Sequence, residues 1–369
     1  MIRIKTPEVY VNEINALEKS GEYISKLGNY ALIVGGKSAL QAVEKKFFKS
    51  FNKEKIQYYT EEYSGYCTFK AIDKYTELAN KLGVNLIIGV GGGTILDLAK
   101  AIGERANLYV VTIPTIAATC AAWSALSVIY NENGEHTDYF LLEKSPKLVL
   151  VDISVIKEAP IRYLNAGIGD TIAKWYEIVP NLSGNNDINL KIGLQTAKLA
   201  LDILKNYING LHKKSDDNDI GNQQYKDVID SIIILAGFVG SINNGKHIAA
   251  MGHAIHDSFT HIPDTKYTLH GEKVIFGLIV QFLLEGKDDE EIEGLIDVLN
   301  KLKLPVTLQQ LGIEDDVNKK ILSIVNGVDI HSKELDKLNF KVNSTLIKEA
   351  IIKANRLGIQ SLNKASSNK

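Results

Sequence analysis

Residues 85–103 read NLIIGVGGGTILDLAKAIG. A short apolar run closes on three consecutive glycines, Gly91 to Gly93, and a helical pattern runs from Ile95 to Glu104. A short Ile/Val/Leu run with no polar alternation predicts a strand buried on both faces. Glycines placed between such a strand and a helix let the backbone approach a phosphate, and the helix start turns N–H groups and a positive dipole end towards it. The pattern departs from G-x-G-x-x-G, because Thr94 stands where the third glycine would be. Thr94 and Asp97 have the spacing of a capping box, which would give Asp97 a purely local task. Two readings fit the loop by itself: a phosphate cradle, or a tight strand-to-helix turn.

The same scheme recurs upstream, where YALIVGG (30–36) precedes a helical pattern over Ser38–Phe48. LYVVTIP (108–114) and KLVLVD (147–152) supply two more buried-strand candidates. Strands alternating with helices predict a parallel sheet covered on both faces. Between the last two strands, residues 124–142 predict a β-hairpin in which Asn133-Gly134 supplies the positive φ angles of a tight turn. Beyond Ala166 the texture becomes helical, over Asp170–Val179, Ile188–Ile208, Asp227–Ile242, Glu272–Leu284 and Glu290–Leu302, with no convincing strand. Lys213–Gln224 reads as a loop and SLNKASSNK (361–369) as a frayed tail. The expected organisation is a nucleotide-binding-like α/β domain over 1–160 and an all-α domain over 161–369, with a cleft between them.

Composition narrows the function classes. The chain has 369 residues, a formal net charge of -2, 45% hydrophobic and 23% charged residues, which suits a soluble two-domain protein. No basic run offers a nucleic-acid footprint, and no stretch approaches the ~18 apolar residues of a membrane span. Two cysteines, Cys67 and Cys120, make no disulfide framework and fit a reducing compartment. The start, MIRIKTPEVYVNE, has no apolar signal region, so a cytoplasmic location is expected.

Five of the eight histidines (His247, His253, His256, His261, His270) fall between 247 and 270. His253 and His256 are three apart and share a helix face. Neutral imidazole is a common transition-metal ligand, and His253 with His270 is the pair that predicts a metal site. His247 and His261 read as surface or hydrogen-bonded residues. Asp170, in the turn AGIGD at the mouth of a helix, is a carboxylate donor for the same ion.

These elements lie in stretches whose order runs nearly the whole chain: GVGGGTILDLAKAIG (89–103), IPTIAAT (113–119), SALSVIY (124–130), SPKLVLVD (145–152), NAGIGDTIAKWYE (165–177), GHAIHDSFTHI (252–262), HGEKVIFGLIVQ (270–281) and LPVTLQQLGI (304–313). Together they resemble the iron-containing alcohol dehydrogenase superfamily, and within it the glycerol dehydrogenase branch. The resemblance implies the dehydroquinate synthase-like fold, with a Rossmann-like dinucleotide-binding α/β domain (1–160) followed by an all-α metal-binding domain (161–369), an NAD or NADP cofactor, a homo-oligomer, and a small alcohol or polyol interconverted with its carbonyl compound. The family's metal ligands fall on Asp170, His253 and His270. Its iron-favouring members carry a fourth ligand, a histidine, where this chain has Lys174, so zinc is implied ahead of iron. Gly92, Gly93 and Thr94 match the pyrophosphate loop, Gly36 and Lys37 the adenine-ribose region, and Thr115, Ser124, Leu126 and Tyr130 the nicotinamide half. His256 is implied either as a proton relay or as a structural neighbour of the metal ligands.

Three positions depart from the branch. Cys120 stands where glycerol dehydrogenases carry an aspartate against the polyol hydroxyls, and a thiol is a weak hydrogen-bond partner. Trp123 replaces a small residue, and either narrows the pocket or packs as a core aromatic. Gly35-Gly36-Lys37 lacks the carboxylate that many NAD-using members place on the adenine ribose, and Lys37 suits a 2′-phosphate, so NADP is expected to be accepted. Thr94 stands where the branch has a lysine. The competing readings are a dehydroquinate synthase-like cyclase, a polyol-phosphate dehydrogenase, and a binding protein that has lost turnover. The first two need a cluster of basic residues for phosphate that the motifs lack, and the cyclase would take glutamate as first metal ligand.

Overall fold

The structure is a computed structural model that describes residues 4–182, 187–211, 218–242, 251–329 and 338–367. They fall into two compact units, one within Met1–Leu164 and Asn218–Gly245, the other within Asn165–Asp217 and Lys246–Lys369. In chain order the elements up to the end of the α/β segment are β1 (Val9–Glu13), α1 (Ser20–Ile24), β2 (Tyr30–Gly35), α2 (Lys37–Lys53), β3 (Gln57–Glu62), α3 (Phe69–Leu82), β4 (Leu86–Gly91), α4 (Gly93–Ala106), β5 (Tyr109–Pro114), β6 (Leu126–Tyr130), β7 (His136–Leu141), β8 (Leu148–Asp152) and α5 (Ile153–Glu158). The helical remainder comprises α6 (Ile161–Ile178), α7 (Ile188–Gly210), α8 (Asn218–Asp230), α9 (Ala236–Ile242), α10 (Met251–Phe259), α11 (His270–Leu284), α12 (Asp289–Lys301), α13 (Val317–Gly327) and α14 (Ser344–Ser367). No helix among the described residues is long and apolar enough to cross a membrane.

Six strands form a parallel sheet in the order β1-β8-β5-β4-β2-β3. The four strands expected from apolar runs are its interior. The two not expected, β1 and β3, are its edges: β3 reads QYYTEE and is largely exposed, because an edge strand lacks the double coverage that writes an apolar run. Alternate residues feed two cores. Ile33, Leu86 and Ile88 pack with Phe47 and Phe51, whereas Leu32, Val34 and Ile87 pack with Ile72, Leu98 and Ile102. From β2 the chain steps one way to β3, then back past β2 to β4, β5 and β8. The switch point therefore lies between the carboxyl ends of β2 and β4, where open α/β sheets bind their ligands.

Several local expectations are corrected. The hairpin β6–β7 forms, but not on a two-residue Asn133-Gly134 turn. The Gly134 N–H donates to the Asn131 carbonyl, Gly134 alone has a positive φ of 86°, and the register slips at Tyr130. That is a turn with a glycine bulge. SLNKASSNK does not fray early, since α14 continues to Ser367. Of the polar stretch 213–224, the described part is helical from Asn218. Helices α8 and α9, placed by their texture with the second domain, pack on the first unit: Asp230 accepts from Tyr10 and Asn12 at 2.7 Å each, and the Trp123 indole donates to Ser241 at 3.2 Å. Periodicity reveals a helix but not the surface it covers.

In the second unit, AGIGD lies inside α6, not in a turn before it. The close backbone approach of three helices explains Gly271 and Gly277 of α11. A Cβ on Gly271 would collide with the Ala166 carbonyl, joining α11 to α6, and one on Gly277 would lie 2.6 Å from the Gly252 carbonyl, joining α11 to α10. Only glycine permits this approach, and it brings the functional side chains of the three helices together.

Candidate metal centre and nucleotide loop

Those three helices each present one donor. Asp170 is on α6, His253 on α10, and His270 is the first residue of α11, whose start is fixed by Glu272 accepting the Leu269 N–H at 2.7 Å. Asp170 Oδ1 lies 3.4 Å from His253 Nε2 and 3.4 Å from His270 Nε2. That oxygen is buried and makes no hydrogen bond among the described residues. The three donor atoms lie within 4.8 Å of one another. Ligands about 2.0–2.2 Å from a tetrahedral ion stand roughly 3.3–3.5 Å apart, so the spacing is that of donors sharing a cation. An orphaned carboxylate oxygen facing two imidazole nitrogens is costly without one.

Each imidazole is held from behind. His253 Nδ1 lies 2.9 and 2.8 Å from the two Glu177 oxygens, and the His253 backbone N–H donates to the same carboxylate at 3.0 Å. His270 Nδ1 lies 3.0 Å from His256 Nε2, and His256 Nδ1 lies 3.0 Å from Asp257 Oδ1. With its proton on Nδ1, where the Asp257 carboxylate accepts it, His256 offers Nε2 as acceptor to His270 and leaves the His270 Nε2 lone pair free to bind. Burial, then the neighbouring His270, pushes His256 down to about 3, so it stays neutral. Burial works against charge on His253 too, but Glu177 and Asp170 lift it to about 10. Burial favours a neutral Asp170, yet Lys174, His270 and His253 hold its carboxyl well below the usual range. The Lys174 ammonium lies 3.6 Å from Asp170 Oδ1. A carboxylate and two imidazoles suit zinc or iron(II) alike.

In the first unit, the glycine loop sits at the switch point. Gly92 caps α4, Gly36 caps α2, the Gly36 N–H donates to the Val90 carbonyl at 3.3 Å, and the Thr115 N–H donates to Gly91 at 3.2 Å. A Cβ on Gly92 would press within 2.8 Å of the Ile116 side chain. The exposed Lys37 opens α2. Gly36, Lys37, Gly92, Gly93, Thr94 and Thr115 thus follow the carboxyl ends of the interior strands β2, β4 and β5.

The sequence model described as iron-containing alcohol dehydrogenase matches residues 7–153. The glycerol dehydrogenase of Citrobacter freundii is 30% identical over 97% of this chain and 98% of its own length. Hydroxycarboxylate dehydrogenase A of Escherichia coli (strain K12) is 36% identical over 79% of each. Among solved structures, a probable glycerol dehydrogenase from Sinorhizobium meliloti 1021 superposes with a TM-score of 0.84 at 26% identity, over 97% of this chain and 99% of that one. The chain belongs to the iron-containing alcohol dehydrogenase family. It has that family's fold and is an oxidoreductase acting on alcohols.

Within this family member, the structure brings together Asp170, His253 and His270, with His256 touching His270 and not Asp170. His261 is exposed and apart from the cluster, and His247 lies outside the described residues. Trp123 is 8% exposed, with its ring against Gly237 and edge-on to Tyr10 at 6.1 Å, so it is a core aromatic of the first unit. The half-buried Cys120 begins the turn that Trp123 ends, its carbonyl accepting the Trp123 and Ser124 N–H groups at 2.9 and 3.3 Å. Tyr130 lies at the far end of β6, its ring 6.0 Å from Tyr66.

Two functional supports escaped the sequence reading. Asp97 does not cap α4. It pairs with Lys100 at 2.8 Å, and the buried Lys100 also donates to the Ser124 carbonyl and hydroxyl at 3.0 Å each and to the Leu126 carbonyl. Asp97 in turn accepts the Val128 N–H at 3.2 Å. One helix thus carries the glycine loop at its start and, two turns on, the pin that fixes Ser124 and Leu126. Glu177 is the other support. Its signal was available, since seven residues after Asp170 is two helical turns on the same face.

Proposed function

We propose that the protein is a zinc-dependent, NAD(P)-linked dehydrogenase that interconverts a small alcohol and its carbonyl compound, acting in the cytoplasm as a homo-oligomer. The observation that carries this reading is the unsatisfied, buried Asp170 Oδ1 facing His253 Nε2 and His270 Nε2 at equal distances. Asp170, His253 and His270 would hold the ion, which supplies Lewis-acid polarisation of the substrate oxygen when bound. Glu177 orients His253, and the Asp257–His256 pair orients His270, each fixing the tautomer that points Nε2 at the ion. His256, neutral and turned to His270, is a positioning residue in this arrangement, not a direct proton relay. Lys174 occupies the position of the fourth ligand in iron-favouring members, which supports zinc. Gly92 and Gly93 would take the cofactor pyrophosphate on the N-terminus of α4, with Thr94 in place of the branch's lysine, and Thr115, Ser124, Leu126 and Tyr130 the nicotinamide half. Lys37 at the start of α2, with no carboxylate beside it in Gly35-Gly36, supports use of NADP as well as NAD.

The relatives' names offer two substrate classes for this chain, glycerol and a hydroxycarboxylate. Cofactor reduction assayed over alcohols, diols, polyols, phosphorylated polyols and hydroxy acids tests the reading. Steady NAD(P)H formation that is lost on chelation and restored by zinc is the expected result. Product without net cofactor reduction would identify a cyclase, and silence over the whole panel would mean that turnover is absent.

A further inference from the structure

We propose that Trp123 is a positioning residue of the nicotinamide subsite, tying the loop that carries Ser124 and Leu126 to helix α9. This rests on the dehydrogenase reading above, which assigns those two residues to the nicotinamide half of the cofactor. Three anchors hold the loop between β5 and β6, all within the first unit. Thr112 on β5 donates its hydroxyl to the Ala122 carbonyl at 2.8 Å. Lys100 on α4 holds the Ser124 carbonyl and hydroxyl. The third anchor comes from 118 positions further along the chain, where the Ser241 hydroxyl accepts the Trp123 indole N–H at 3.2 Å. That hydroxyl donates in turn to the Gly237 carbonyl at 3.0 Å, which leaves a lone pair for the indole.

Gly237 and Ser241 are four residues apart and share one face of α9. The Trp123 side chain seats on that face: a Cβ on Gly237 would lie 2.6 to 2.7 Å from the Trp123 Cβ, Cγ and Cδ1. The helix is itself fixed. Asp230 accepts from Tyr10 and Asn12 on β1, and a π-helical turn over Ser231–Leu235, a turn type that recurs at functional sites, leads from it into α9. Tyr10 also meets the Trp123 ring edge-on. A shift of Trp123 passes directly to Ser124, because both donate their N–H groups to the Cys120 carbonyl, at 2.9 and 3.3 Å. The Lys100 ammonium is a flexible point charge that follows Ser124 if the turn moves. The indole, a rigid plate packed against Gly237 and Tyr10, resists that movement. A misplacement of about 1 Å is enough to spoil the alignment that hydride transfer needs.

The test is calorimetric titration, without turnover, of the wild type and its variants with two ligands. One is NADH or NADPH, whichever binds the tighter; the other is the matching ADP-ribose or 2′-phospho-ADP-ribose, which lacks only the nicotinamide ring. The ratio of their affinities reads the nicotinamide subsite by itself. Trp123→Phe and Ser241→Ala remove the indole–hydroxyl bond and should lower the ratio by about 3- to 10-fold, the weight of one neutral hydrogen bond. Ser241→Thr keeps the hydroxyl and should restore it. Gly237→Ala should lower the ratio at least as far, although alanine favours a helix. Gly240→Ala, on the same helix with nothing within 4 Å of its Cβ, should leave the ratio unchanged. A purely structural role would weaken both ligands alike, or neither. An unchanged ratio in Ser241→Ala and Gly237→Ala, or an equal loss of both ligands, would overturn the assignment and leave the dehydrogenase reading standing. Failure of the wild type to bind either dinucleotide would instead remove the dehydrogenase reading itself, and this assignment with it.

Discussion

Asp97 and Lys100 on α4, and Asp170 and Lys174 on α6, are two acid–lysine pairs, each with a buried aspartate and a lysine about one helical turn on, close behind a glycine-rich stretch; Lys100 is buried and Lys174 partly exposed. In the first pair the charges touch at 2.8 Å, Lys100 has three further oxygen acceptors, and Asp97 holds the Val128 N–H as well. In the second the separation is 3.6 Å, and the aspartate oxygen facing the lysine has no hydrogen bond while two imidazoles converge on it. The local sequences, TILDLAK and GDTIAK, look alike. Saturation separates them: a buried charge whose partners are all supplied by the fold is structural, and one left short is waiting for something the chain does not contain.

The comparison is broken most severely at the unsatisfied site. His270→Ala should lower turnover by more than about 100-fold and bring bound zinc well below one per chain, since ligand loss costs at least as much as loss of a supporting partner. Full zinc content in that variant, read by elemental analysis, would remove His270 from the ligand set. The saturated site should respond in stability instead. Lys100→Met leaves Asp97 and the Ser124 and Leu126 carbonyls without their cation, at a cost of about 3–5 kcal/mol in urea unfolding. Lys174→Met, whose lysine is partly exposed and stands farther from its aspartate, should cost the metal-free protein less than Lys100→Met does. Equal losses from the two lysines would erase the distinction.

A smaller effect sharpens it. In the metal-free protein His253 titrates at about 10, above its ordinary 6.5. The folded state therefore holds a proton that the unfolded chain has released across that window. Its stabilisation is complete below about pH 6.5 and is lost as the pH rises through 10. Zinc must displace the same proton, so calorimetry at pH 8 in buffers of different ionisation enthalpy should find about one proton released per zinc bound. Zinc binding with no proton release would mean that His253 is not a ligand.

The interior of the fold was legible because doubly covered strands such as LIIGVG and LVLVD write unbroken apolar runs. The edges β1 and β3 were not, as one of their neighbours is solvent. The three donors were legible through their motifs and the crowding of histidines. What hid was everything that depends on distance across the chain: the Lys100 pin to Ser124, the attachment of α8 and α9 to Tyr10 and Trp123, and the placing of AGIGD inside α6. Glycines usually signal turns, and here Gly271 and Gly277 serve helix contact, which a single sequence does not distinguish from a break.

The central claim is that one divalent ion sits among three side chains that the sequence keeps far apart. Anomalous X-ray diffraction at the zinc edge, on crystals of the zinc-loaded protein, tests it directly. A single peak about 2.0–2.2 Å from an Asp170 oxygen, His253 Nε2 and His270 Nε2 is the predicted result. A peak that touches fewer than three of them, or lies elsewhere, would contradict the account.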